Sequence, residues 1–137
     1  MDKALNYLSL ARKGGKAELG EEPVGAVARA GKAYLILAAS DCSDHTWRRA
    51  KSYVAGTQQQ CIRMPYTKDE MGMAIGRQEL ALAAITDAAL ALALAKSLPE
   101  PGKYTQAIEA LEEKSKKMAQ RKKEAQAHKK NVAKGKK

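Results

Sequence analysis

"LALAAITDAALALALAKSL", residues 80–98, decides the fold, because its apolar length suits either a membrane span or two buried elements in succession. Asp87 near its middle and Lys96 near its end argue against the span, since charge is costly at the centre of a bilayer. Thr86-Asp87 reads instead as a helix cap, the Asp oxygens being suited to the N–H groups left unpaired where a helix begins. The stretch then divides into a buried strand over 80–85 and a helix from about 87 to 98. A fully apolar strand followed at once by a helix is the unit of a sheet covered by helices.

Upstream the same alternation continues. "AYLILAA", residues 33–39, is a second continuous apolar run of strand length, and Ser43 caps a helix with Trp47, Ala50 and Val54 on one side. "CIRM", 61–64, reads as a strand stopped by Pro65. Thr67-Lys68-Asp69-Glu70 is a capping box opening a short helix through Met71, Ala74 and Ile75 that ends at Gly76. At the N-terminus Asp2 caps a helix with Leu5, Leu8 and Ala11 on its inner face, and Gly14-Gly15 stops it. A short extended piece over 17–19 leads to a second helix with Pro23 in its first turn, Val24, Val27 and Ala28 inside, and Gly31 as its end. The prediction is an α/β chain, a three-layer α/β/α sandwich around a small mixed sheet, followed by a C-terminal basic helix or tail.

"PEPG", residues 99–102, separates that body, 1–98, from a segment of different character, 99–137. Tyr104, Ile108, Leu111 and Met118 form a narrow apolar stripe, with Glu112–Lys116 and Glu113–Lys117 as i,i+4 pairs in the favourable order. Beyond Met118 the stripe vanishes, so the helix is expected to fray into a disordered Lys-rich tail. Charge divides at nearly the same place. Residues 1–113 hold 14 Lys/Arg against 14 Asp/Glu, whereas 114–137 hold 11 against Glu124 alone, so the tail carries the whole formal charge of +10. Lys116, Lys117, Arg121, Lys122, Lys123, Lys129 and Lys130 are its candidate phosphate contacts, through counterion release that depends on salt and not on base sequence. A solvated tail that aids solubility is the other reading of the same residues.

Composition and motifs exclude several classes. Hydrophobic residues make up 45% of the 137-residue chain and Phe is absent, so Leu, Ile, Val, Met and Ala fill the core. Cys42 and Cys61 do not make a disulfide framework, and no apolar segment with a cleavage site opens the chain; a reduced, cytoplasmic protein with no membrane segment is expected. A phosphate-binding loop would need Gly at position 10 and Ser or Thr after Lys16, where Leu10 and Ala17 stand. Cys42-x-x-His45 has half the spacing of a zinc site, but only Cys61 and His128 remain to complete it. Asp41 follows a strand where some α/β proteins hold a reactive acid, but a turn or cap needs such a residue at the same place, and that reading is preferred. No paired carboxylates, Ser-His-Asp set or dinucleotide glycine fingerprint is present, so no enzyme activity, cofactor, metal or small-molecule substrate is expected.

"LGEEPVGAVARAGKAYLILAASDCS" (19–43), "MPYTKDEMGMAIG" (64–76) and "LAAITD" (82–87), in this order and at these separations, resemble the kink-turn-binding ribosomal protein family, in particular its bacterial YlxQ-like branch. The resemblance covers about residues 4–98. It implies a non-catalytic α/β/α sandwich that binds structured RNA, often bent helices with an internal loop, as part of the ribosome or another ribonucleoprotein. It further implies contacts from Gly20, Glu21 and Glu22 at the start of the second helix, and from Gly76, Arg77 and Gln78 before the last strand, with Lys13 and Lys16 in the approach to the first group. The chain departs from the family's pattern at Pro23 and at Ala26, where a lysine is usual. Physically, a helix tip offers unpaired N–H groups to phosphate, whereas Glu21 and Glu22 weaken that attraction and also suit a first helical turn for structural reasons. RNA contact and simple capping both remain open for this pair.

Overall fold

The structure is a computed structural model that describes the backbone of residues 2–135 and the side chains of residues 2–126. In chain order the elements are α1 (Lys3–Lys13), β1 (Ala17–Leu19), α2 (Glu21–Arg29), β2 (Leu35–Ala38), α3 (Asp44–Val54), β3 (Gln60–Arg63), α4 (Lys68–Ala74), β4 (Leu82–Ile85) and α5 (Ala88–Lys96). A 3-10 turn at Pro101–Tyr104 then leads into α6 (Thr105–Gly135). Local chemistry sets the helix starts: Asp2, Ser43, Thr67 and Asp87 each accept a backbone N–H of the first turn, and Thr67 with Glu70 completes a capping box. The two apolar strands are shorter than their apolar runs. Ala33, for example, gives its N–H to the Gln59 side chain at 2.9 Å instead of to a neighbouring strand.

The strand order is β1-β4-β2-β3. β4 is antiparallel to both β1 and β2, with Leu19 opposite Ala83 and Ala38 opposite Leu82, while β2 and β3 are parallel, with Leu35 opposite Gln60. β1, β2 and β3 therefore point the same way. α2, α3 and α4, which follow them, all begin at one end of the sheet, the leading end; the three strands start from the other, the trailing end.

All four residues of β2 and all four of β4 are buried, as central strands covered on both faces must be. α2 and α3 pack together on one face, and α1, α4 and α5 on the other. Ala91 and Ala95 are fully buried in α5, so the small side chains that made residues 80–98 resemble a span serve close helix packing. Among the described residues no helix is long and apolar enough to cross a membrane.

α6 begins alongside β3. The Tyr104 hydroxyl donates to the Arg63 carbonyl at 3.3 Å at the leading end, and Ala110 and Leu111 lie beside Gln58 and Gln60 at the trailing end. Ala107 and Leu111 are buried in the common core, while Met118 is exposed. Two expectations are corrected. Glu112 reaches Lys96 of α5 at 3.4 Å in place of Lys116, because α6 packs on α5, and no Glu113–Lys117 pair forms among the described residues. The backbone is helical past Met118 to Gly135, where fraying was expected, because the intervening run, mostly Ala, Lys, Gln, Glu and Arg, holds no Pro or Gly to break it.

Candidate functional site

Six of the candidate residues belong to two segments, Gly20–Glu22 at the tip of α2 and Gly76–Gln78 in the loop before β4. Gly20 has φ of +95°, a region that strains any residue with a Cβ, and its N–H donates to the Leu82 carbonyl at 2.9 Å. That bond docks the tip of α2 against the first residue of β4. The chain enters β4 through a loop that starts at Gly76, itself at φ +74°, and folds back along α4. Arg77 N–H donates to the Gly72 carbonyl and Leu80 N–H to the Lys68 carbonyl, both at 2.9 Å. The fit is close: a Cβ on Gly72 would stand 2.6 Å from the Glu79 Cα. Gly20, Glu21 and Glu22 thus stand beside the start of β4, the strand that the loop through Gly76, Arg77 and Gln78 leads into.

Loop residues Arg77, Gln78 and Glu79 are exposed and, with Asp69 and Met73, border an open concavity of about 790 Å³. Met73 is 78% exposed there, an apolar side chain that the sequence reading placed on no surface. Its spacing of two from the buried Met71 is the signal that would have found it.

Lys13 and Lys16 are not brought to this end. The Lys16 carbonyl accepts the Thr86 N–H at 2.8 Å where β1 begins, so the extended run through β1, about 13 Å from Lys16 to Gly20, separates the two. Lys13 closes α1 at the same trailing end.

Carboxylates occupy the helix starts of the leading end. Glu21 and Glu22 stand in the first turn of α2, Asp44 in that of α3, and Asp69 and Glu70 in that of α4, each complementing the positive end of a helix dipole. Glu21 is engaged further: one oxygen accepts the Thr46 hydroxyl at 3.0 Å and the other lies 3.7 Å from the Arg49 guanidinium. Glu22, Pro23 and Ala26 face solvent. Nearby, the Tyr66 hydroxyl donates to the Asp2 carboxylate; burial first, and then this bond, push the phenol above its ordinary range.

The remaining candidates resolve simply. Asp41 accepts the Lys68 N–H at 2.8 Å, the turn-bracing role of a short acid, which joins the β2–α3 loop to α4. Cys42 is buried while His45 is exposed, the side chain of His128 lies outside the described residues, and no metal-binding cluster forms among the described residues. Lys116, Lys117, Arg121, Lys122 and Lys123 are exposed along α6; the side chains of Lys129 and Lys130 lie outside the described residues.

No protein-family model matches the chain, and no curated protein matches it. Solved structures do. A protein of unknown function from Bacillus halodurans C is 26% identical, with a TM-score of 0.65, over 70% of this chain and 96% of that one. A 15.5kD RNA binding protein of Giardia lamblia is 20% identical, with a TM-score of 0.60, over 80% of this chain and 87% of that one, a likeness of fold.

Proposed function

We propose that the protein is a non-enzymatic RNA-binding protein, ribosome- or ribonucleoprotein-associated, that recognises structured RNA with a bend or internal loop. The observation that carries the reading is the docking of the Gly20 tip of α2 against the first residue of β4, the strand that the Gly76–Gln78 loop leads into. The fold it shares with the Giardia lamblia 15.5kD RNA binding protein supports the choice of ligand. Backbone N–H groups and Arg77 take phosphate, Gln78 and the Glu22 carboxylate take base edges, and the open concavity beside Met73 admits an unstacked base. The cations of α6 add affinity that does not depend on sequence.

Anisotropy titrations with a bent, internal-loop RNA and a plain duplex of equal length test this. The expected result is tighter binding of the bent RNA, lost in Arg77→Glu. Equal binding of the two RNAs overturns recognition by the body.

One observation favours a second reading. Thr46 and Arg49 already engage Glu21, and the three helix tips around it all carry acids, which suits a basic protein partner better than a polyanion. On that reading the chain is a protein-interaction module that has lost its RNA site, and RNA binding vanishes with α6.

A further inference from the structure

We propose that the trailing end carries a second RNA-contact surface, a basic trough that takes an unpaired strand flanking the structured element. The proposal rests on the RNA-binding reading above and assigns to it a place and a strand type.

Three adjoining concavities make the trough. One of about 500 Å³ is bordered by Lys32, Tyr34 and Thr86. The next, about 370 Å³, shares Gly31 and Tyr34 with it and adds Arg29, Gln58, Gln60 and Lys114. The last, about 190 Å³, shares Gln58, Gln60 and Lys114 with the second and adds Lys117. Lys114, Lys117 and Arg121 fall on one face of α6, so the row of cations continues along the helix past the sheet.

Charge distinguishes this end from the other. Among the residues that line the trough, carboxylates occur only at the margins, Glu18 at one outer concavity and Glu113 at the other, while Asp87, next to Thr86, is engaged as the cap of α5. Arg29, Lys32, Lys114 and Lys117 form no ion pair among the described residues. A helix C-terminus accounts for Arg29 as a partner of the α2 dipole, but not for Lys114 and Lys117, which lie on a different helix.

The shape selects the ligand. Three linked open concavities fit a polyanion better than a small anion, which would need an enclosed site. Tyr34 is half-buried and borders both larger concavities, and Gln58 and Gln60 line the middle one with it. At Gly31, φ +72°, no atom lies within 4 Å of where a Cβ would stand, leaving the backbone open to close approach. Aromatic and amide groups set among cations suit a single strand whose bases are unstacked.

The test uses the full-length protein with a bent, internal-loop hairpin carrying or lacking an unpaired flank. The flank should tighten binding about tenfold or more. Arg29→Glu, Lys32→Glu and Lys114→Glu combined should abolish that gain and lower the slope of log affinity against log salt by about one for every phosphate no longer neutralised. Tyr34→Leu alone should reduce the gain without changing the slope. Retained binding of the flankless hairpin by both variants shows that they fold. No gain from the flank, or a gain that survives the triple variant, overturns the inference while leaving the RNA reading in place. Failure of the wild-type protein to bind either RNA overturns the RNA reading itself, and the trough with it.

Discussion

Single residues fix the position of the loop before β4. Gly72 is the clearest, because a methyl group there would stand 2.6 Å from Glu79 Cα and 2.7 Å from its nitrogen, both backbone atoms that cannot swing aside. Gly72→Ala is expected to destabilise the fold by about 2 kcal/mol and to move Arg77 and Gln78 outward. Denaturant unfolding and binding of the bent RNA check both effects. Unchanged stability would show that the loop does not rest on α4. Cys61 supplies a pH test: burial, and to a lesser degree Cys42, raises its thiol from an ordinary 9.0 to about 12. The folded chain keeps a proton that the unfolded chain has lost, so this contribution to stability is complete below pH 9.0 and disappears as pH rises to about 12. Cys61→Ala should flatten the fall in unfolding free energy over that window, and at neutral pH the native thiol should resist alkylation. At this scale the sequence was most legible for caps, since Asp2, Ser43, Thr67 and Asp87 act on N–H groups within their own first turns. It was least legible for Lys13 and Lys16, a few positions from Gly20 but facing the far end because β1 intervenes.

Among elements, α4 and α6 are where sequence and structure differ most usefully. The short α4 depends on its capping box, so Thr67→Ala should cost about 1 kcal/mol, seen in denaturant unfolding. For α6 the apolar stripe implied one amphipathic surface through Met118, yet burial stops at Leu111. Leu111→Ala is therefore expected to cost about 3 kcal/mol, and Met118→Ala to leave the unfolding midpoint nearly unchanged. Equal effects would place the end of the packed surface elsewhere. Periodicity identified the helix but not its partner: the Lys96–Glu112 contact depends on α5 lying alongside, which no local pattern encodes. Strand order escaped for the same reason. Alternation announced an α/β sandwich, whereas the order β1-β4-β2-β3 depends on pairings between distant segments.

For the whole molecule, the segregation of charge seen in the sequence gains a direction. α6 runs from the leading toward the trailing end and carries its cations on past the sheet, away from Gly20 and Arg77. Ending the chain after Glu113 removes all 11 of the Lys/Arg beyond it and no buried side chain among the described residues. The shortened protein should melt within a few degrees of the full chain, bind RNA more weakly, and show a flatter salt dependence. Titrations at two or more ionic strengths check this, and identical slopes would remove α6 from the RNA contact. The seat of α6 beside β3 has a further consequence. β1, the other outer strand, is three residues long and carries Glu18, a poor template for a stranger, but the outer rail of peptide groups of β3 is shielded by α6 and the turn before it. Cut at residue 98, the chain would become self-adhesive, with one copy zipping onto the next; kept through Leu111, it should remain dispersed in solution.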